Sequence, residues 1–370
     1  MTSSHPVDYS RFFHREAVSL ARAGYDVSLI GLESGSKQRP RKGVSVFAVP
    51  RLRGIAKSRT LALIRRLAEE QAAAVYHCLD PWTLELGLTI ARRHPGTRIV
   101  YDSTELYPAV YAERDDLLAP VRWLLALRVK YLEREALRRA DAIIETNATR
   151  ARRFADQGRE PVLVPNYPAL DSVPEPATRR KPWLAYTGMV TRHRGFDKLL
   201  EAFAKVVAEF PDARLRVVGN FDPHSDIERW AKSFVAQTGI AGQVEFLGWL
   251  PYEQMFLTIR ESSVGIILLQ PGRTNDYTGQ PNKLFEFMAM GIPVVASDFP
   301  EIAAVVRSAG CGWLVDPTNV NKIAHVLRAV LGSPERAQAA GRAGRQAVLE
   351  RYNWAEAEKN LVGLYRCLMA

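Results

Sequence analysis

Helical segments alternate with short, β-branched runs along this chain, and that alternation restricts the fold more than any other feature. Residues 16–23 read as the end of an amphipathic helix stopped by Gly24, and residues 25–30 as a strand. A basic helix at 58–70 and a strand at 73–77 follow, then a helix at 84–93 and a strand at 98–101 with Asp102, Ser103, Thr104 and Glu105 at its end. A long helix or helix pair at 117–140 leads to short strands at 142–146 and 161–166. This is the pattern of a doubly wound α/β sheet, which collects ligands at the C-terminal ends of its strands. His77, Asp80 and residues 102–105 are therefore better site candidates than an average polar residue, with packing or hydrogen bonding between strand ends as the plainer reading.

Residues 168–182, with Pro174, Pro176 and a basic run at 179–181, carry no periodic pattern and read as a linker. Beyond it the alternation resumes, with strands at 183–188, 215–220, 244–249, 264–269, 294–297 and 312–315. Helices are expected at 196–210, 252–260, 283–290, 301–308, 321–331, 334–349 and 354–369. A length of 370 residues, 47% of them hydrophobic, supports two such domains.

The formal charge of +10 points to anionic partners: metabolites, lipid surfaces or nucleic acid. Nucleic acid is disfavoured, because the basic residues are spread among helices without a recognised binding module. The three cysteines, Cys78, Cys311 and Cys367, lie far apart, so buried free thiols in a reducing compartment are expected. The start, MTSSHPVDYSRFF, lacks a secretory pattern, and no apolar run approaches the roughly 20 residues that cross a bilayer. The expected location is the cytoplasm, with peripheral contact at the inner face of the membrane. The helix at 117–140 interleaves Trp123, Leu124, Leu127 and Tyr131 with Arg122, Arg128, Lys130, Arg134 and Arg138. An anionic membrane surface and a sheet-covering helix with a solvated face both produce that pattern.

The most informative stretch is 277–300. Polar residues precede Asn282, Lys283, Leu284 and Glu286 at the start of a helix, which breaks at Gly291 before the strand at 294–297. N–H groups of a first helical turn favour phosphate, Lys283 supplies a mobile positive charge, and Glu286 accepts hydrogen bonds from sugar hydroxyls. The plainer reading is a surface lysine and a capping glutamate. The loop 187–195, TGMVTRHRG, adds Arg192, His193 and Arg194, of which Arg194 at the mouth of the next helix is the first choice for a diphosphate. Gly188 and Gly219 end two strands where backbone passes close to a ligand, with Asn220 beside them, and Leu250 and Leu284 complete the expected donor-binding set. Asp276 stands alone and the seven histidines form no HExxH pattern, so no metal is expected and the phosphates fall to Arg194 and Lys283. His5, Arg11 and His14 are expected at the rim of the first domain, in contact with phosphate or acceptor or simply solvated.

These segments resemble glycosyltransferase family 4, the retaining enzymes of the GT-B fold. The likeness covers nearly the whole chain through FFHREAVSLARAGYDVSLIGLE and YDSTELYP, then YTGMVTRHRGFDKLLEAF, RVVGN, VEFLGWLPYEQM and PNKLFEFMAMGIPVVASDFPEI. It implies two Rossmann-like domains facing across a cleft: residues 1–170 on the acceptor side, residues 171–352 holding the nucleotide sugar, and a helix at 353–370 that crosses back to the first domain with Leu361, Leu364, Tyr365 and Leu368 as its buried stripe. It further implies transfer of a sugar from a UDP- or GDP-sugar, with no permanent cofactor, to a saccharide, lipid-linked or small acceptor. Arg194, Lys283 and Glu105 are then the expected catalytic groups and Glu286 the ribose contact. Oxocarbenium-like attack on the same face, with the leaving phosphate assisting deprotonation, belongs to that implication.

The sequence departs from the family pattern at Thr278, where an acidic residue is usual, at Met189, where an arginine is usual, and at Thr104, where a histidine is usual. Relatives have a complete first strand before the segment like HPVDYSRFFHREA, whereas only residues 1–4 precede it here, so the expectation is a sheet lacking most of that strand or a start downstream of the true one. A noncatalytic sugar-nucleotide-binding subunit acting on a protein partner, and an epimerase or hydrolase of the same fold, are the alternative readings; a homo-oligomer is compatible with each.

Overall fold

The computed structural model describes residues 1–33, 42–51, 57–114 and 116–370. It divides into two compact units, one of Met1–Asn166 with Trp354–Ala370 and one of Tyr167–Asn353. The first carries β1 (Thr2–Pro6), β2 (Val27–Leu32), β3 (Val44–Val49), β4 (Val75–Cys78), β5 (Arg98–Ser103), β6 (Ala142–Glu145) and β7 (Val162–Leu163). The second carries β8 (Lys181–Thr187), β9 (Arg214–Val218), β10 (Val244–Gly248), β11 (Ser262–Ile267), β12 (Val294–Ser297) and β13 (Gly312–Val315). The strands form a seven-stranded sheet in the order β3-β2-β1-β4-β5-β6-β7 and a six-stranded sheet in the order β10-β9-β8-β11-β12-β13. The pairings between named strands are parallel, with helices supplying the crossovers, so each unit is Rossmann-like and doubly wound.

The first strand corrects the sequence reading. Thr2–Pro6 lies between β2 and β4, with Thr2 opposite Ile30 and Cys78, so the sheet does not lack it. Its sequence, TSSHP, has little β-branched apolar character, and its central position is visible only once Thr2 and Ser3 are seen to be buried. The helical segment after it starts earlier than expected, as a wide turn over Arg11–Ala17 that continues through Val18–Arg22. β3 and the helices Tyr107–Ala112, Ala148–Ala155 and Ile227–Gln237 were also not anticipated. The last of these buries Ile227, Ala231 and Val235, spaced four residues apart on one face.

The divisions between units fall at Asn166 and Asn353, close to the expected boundaries at 170 and 352. Tyr167 packs its ring against Phe285 at 4.8 Å and Tyr352 at 5.5 Å, which assigns it to the second unit. The expected linker is tied down there as well: Arg180 donates to the carbonyls of Arg260, Met290 and Gly291 at 2.7–2.9 Å. The helix Trp354–Met369 packs within the first unit, burying Trp354, Ala357, Leu361 and Tyr365. Leu364 and Leu368 of the expected stripe are only half-buried, because the contact runs further toward the helix start, where the Trp354 indole donates to Ser19 Oγ at 2.9 Å. Cys78 and Cys311 are buried free thiols; Cys367, expected to be buried, is exposed on the outer face of this helix. Among the described residues, no helix is long and apolar enough to cross a membrane.

Candidate functional site

In the second unit β8 lies between β9 and β11, so the strand order reverses beside it and the crevice at its C-terminal end is where this topology places ligands. The backbone there is drawn tight. Gly188 N–H donates to Val218 O at 2.9 Å and Val190 N–H to Asn220 O at 2.8 Å, joining the loops that follow β8 and β9. Gly219 has φ +152°, and a methyl group added to it would sit 1.9 Å from Gly188 O. Only glycine permits that approach. Asn220 is held by its own side chain, whose Oδ1 accepts from Trp249 N–H at 3.1 Å, while Leu250 packs its half-buried side chain on the apolar core.

The cations sit beside this junction. The Arg194 guanidinium lies over Gly188, with Nη1 2.9 Å from where a Cβ would stand, and its backbone N–H donates to Thr191 Oγ1 at 3.2 Å. Lys283, on the helix Asn282–Ala289, reaches the end of β8: Nζ donates to Thr187 O at 3.1 Å and lies 4.7 Å from the centre of the Tyr186 ring. This corrects the expectation of a freely moving charge, since Lys283 is 8% exposed. Burial, and then the positive charge of Arg194, pull its pKa from 10.5 down to about 7, while Glu286 and Asp276 act in the opposite direction. Arg194, Lys283, Glu286 and Asp276 thus form one electrostatic group. Glu286 is half-buried one helical turn after Asn282.

Other expected members of the set have different places. The Leu284 side chain is fully buried in the core and its N–H donates to Pro281 O at 2.9 Å. Arg192 turns to Asp226, which it meets at 3.1 Å, and lies over the Trp230 ring. His193 lies within the field of the cations and is not one of them: burial and then the charges of Arg273 and Arg194 push its pKa from 6.5 down to about 4, which keeps the ring neutral at pH 7. Arg273 was not singled out in the sequence, although a basic residue in the loop after β11 is the signal that would have found it. Thr278, where the family has an acid, donates its hydroxyl to Thr274 O at 2.9 Å.

In the first unit most of the polar strand-end residues are structural. Arg11, expected at a solvated rim, is 1% exposed. Its guanidinium lies 2.7 Å from Glu16 and 3.0 Å from Asp102 and donates to Val164 O at 2.9 Å. Burial raises the Glu16 pKa above its ordinary value despite that partner. His77 is fully buried, with Nδ1 3.0 Å from the Tyr365 hydroxyl and Nε2 3.9 Å from Asp102, and burial lowers its pKa to about 3. Glu16, His77 and Asp102 lie close enough to hold a metal ion, but the Arg11 guanidinium already stands among them as the cation. Asp80 caps the helix Pro81–Arg93 through Trp82 and Thr83 N–H, both at 3.0 Å, and accepts from Ser4 N–H. His5 packs on Tyr9 and Phe12, and His14 is exposed. Glu105 is half-buried beyond the end of β5, where burial and then the Glu105 charge raise the Tyr107 pKa. Thr104 shares a 3.0 Å hydrogen bond with the Tyr107 hydroxyl.

The profile of the family described as Glycosyl transferases group 1 matches residues 171–347, and that of Glycosyl transferase 4-like domain matches residues 9–167. The chain is 31% identical over 189 residues, 48% of its length and 47% of the relative's, to a GDP-mannose-dependent monoacylated alpha-(1-6)-phosphatidylinositol monomannoside mannosyltransferase of Corynebacterium glutamicum. It is 30% identical over 222 residues, 56% of its length and 54% of the relative's, to the phosphatidyl-myo-inositol mannosyltransferase of Mycobacterium tuberculosis. The chain thus spans about half the length of the curated relatives it matches. In fold it is similar to sucrose-phosphate synthase from Thermosynechococcus elongatus, with a TM-score of 0.76 at 20% identity over 95% of this chain and 91% of that one. It is also similar to Anabaena HepE, crystallised with UDP, with a TM-score of 0.74 at 12% identity over 99% and 98% of the two chains. Matched by one profile over its first unit and by the other over its second, the chain belongs to the group 1 glycosyl transferases and has the GT-B fold.

Proposed function

We propose that this protein transfers a sugar from a nucleotide-diphosphate donor to an acceptor hydroxyl with retention of the anomeric configuration. The observation that carries the reading is the convergence of Arg194, over Gly188, and Lys283, on Thr187 O, at the end of β8. Two cations beside backbone that only glycine permits suit a diphosphate whose charge grows as the glycosidic bond breaks, each charge-assisted hydrogen bond contributing about 1.5–3 kcal/mol. Glu286 holds the ribose hydroxyls, and Gly188, Gly219 and Asn220 shape the backbone around the phosphates. The leaving phosphate, neutralised by Arg194 and Lys283 without a metal ion, accepts the proton of the attacking hydroxyl on the same face of the sugar. Glu105 is the group that meets the acceptor.

The relative named as GDP-mannose-dependent and the neighbour crystallised with UDP support a UDP- or GDP-sugar. The phosphatidylinositol derivatives in the relatives' names support a saccharide or lipid-linked acceptor in glycolipid or polysaccharide synthesis. The test is incubation of the pure protein with a panel of UDP- and GDP-sugars and an acceptor extract, followed by mass measurement. An acceptor heavier by one sugar is expected. Donor that is only isomerised or hydrolysed, or bound without turnover until another subunit is added, overturns the proposal.

A further inference from the structure

The helix Ala119–Arg139 of the first unit packs only one side. It buries Ala126, Val129, Leu132 and Ala136 and lies against the helices Pro81–Arg93 and Tyr107–Ala112. Its other side is apolar and bare. Of the fourteen exposed large apolar side chains among the described residues, six fall in this region: Leu118, Val121, Trp123, Leu124, Leu127 and Tyr131. Such a concentration marks an interaction surface, where scattered single residues would not. Trp123, Leu124, Leu127 and Tyr131 follow helical spacing along one face, with Leu124 69% and Leu127 63% exposed.

Charge identifies the occupant. Continuing along the same face come Arg134 and Arg138, both exposed, and Lys130 and Arg128 flank it. The two acidic residues of the helix are buried, Glu133 paired with Arg153 at 3.1 Å and Glu135 with Arg138 and Arg139 at 3.3 and 3.2 Å, and Arg128 at the flank pairs with Glu85 of the neighbouring helix, so basic groups outnumber acidic ones along this side. The face is therefore apolar in its first half, with a tryptophan and a tyrosine, and basic at its flank and far end. A second copy would bring the same basic face to it, in a chain whose formal charge is already +10. A bilayer interface with anionic headgroups matches both parts, since acyl chains accept the leucines, the aromatic rings sit at headgroup depth, and lipid phosphates meet the basic groups.

We propose that this face seats the protein on an anionic lipid surface. Trp123, Leu124, Leu127 and Tyr131 enter the boundary between headgroups and acyl chains, while Lys130 and Arg134 pair with lipid phosphates. The proposal goes beyond the transfer reaction and does not depend on it.

The experiment is co-sedimentation of the full chain with vesicles of phosphatidylcholine alone and of phosphatidylcholine with phosphatidylglycerol. Strong binding to the anionic vesicles, weakened by added salt, is expected. Replacing Lys130 and Arg134 together by glutamine should weaken it about 25-fold, near fivefold for each charge. Trp123→Glu with Leu127→Glu should abolish it, with circular dichroism confirming the fold, and Lys283→Ala should bind as the unaltered protein does. Three results would overturn the proposal: no binding to anionic vesicles, binding that the Trp123 and Leu127 changes leave intact, or a dimer in sedimentation that those changes dissolve.

Discussion

Replacing Lys283 by methionine separates the cost of burying its amine from the use of it. Methionine keeps much of the apolar stem and removes the charge, the hydrogen bond to Thr187 O at 3.1 Å and the contact with the Tyr186 ring. In the unfolded chain the lysine holds its proton up to its ordinary pKa of 10.5, whereas in the folded, unliganded protein it releases it near 7. Between those values the unfolded state binds more protons, so the lysine's contribution makes stability rise with pH across that window. Below it both states are protonated and the penalty is present in full. At about 1.36 kcal/mol per pKa unit that penalty is on the order of 5 kcal/mol, set against about 1.5–3 kcal/mol for the lost charged hydrogen bond. The Lys283→Met protein should therefore be the more stable of the two in acid, by a few kcal/mol, and should lack this rise in alkali.

Donor binding should move the other way. A diphosphate beside Lys283 restores its proton, so binding takes up a proton above about pH 7 and affinity falls toward tenfold per pH unit. Lys283→Met should weaken binding roughly ten- to hundredfold below that pH and remove the dependence. Calorimetric titration with UDP-glucose and GDP-mannose in buffers of different ionisation heat reads both affinity and proton uptake. A flat profile in the unaltered protein, or a methionine variant that binds equally well, would refute the reasoning.

Four further outcomes follow from the packing. Gly219→Ala forces a methyl group to within 1.9 Å of Gly188 O at φ +152°, so urea unfolding should show a loss of about 2 kcal/mol or more. Asp102→Asn leaves the buried Arg11 guanidinium short of a counter-charge and should cost about 3–5 kcal/mol in the same measurement. Tyr365→Phe removes the 3.0 Å partner of the buried His77 and should cost about 1–3 kcal/mol, measured as a fall in denaturation midpoint. In nucleotide titrations Arg194→Ala should lose about ten- to hundredfold in affinity, while Arg192→Ala, exposed and paired with Asp226, should bind nearly as well as the parent.

The strongly apolar strands and the helices with a clean buried face were legible because burial on a sheet writes itself as a periodic pattern. β11, β12 and the helix Asn282–Ala289 are of this kind. β1 was not, because TSSHP gains its place from strands on both sides and not from its own composition. The same limit explains Arg11. A charged residue reads as solvated until its counter-charge is found, and Asp102 lies 91 residues away. At the candidate site, residue type pointed to Arg194, Lys283 and Glu286. Depth did not show: Lys283 read as a mobile charge or a surface lysine, and its burial at the end of β8 comes from the meeting of that strand with the helix Asn282–Ala289. Asp80 and Asp102 show the converse, since strand-end carboxylates that cap a helix or pair with a buried arginine look in sequence like those that bind substrate.

A crystal structure of the protein with its nucleotide sugar tests the central claim most directly. Diphosphate oxygens within hydrogen-bond distance of Arg194 and Lys283 Nζ, with the ribose hydroxyls on Glu286, are the predicted result. Nucleotide density elsewhere, with both cations directed away from it, would contradict the account.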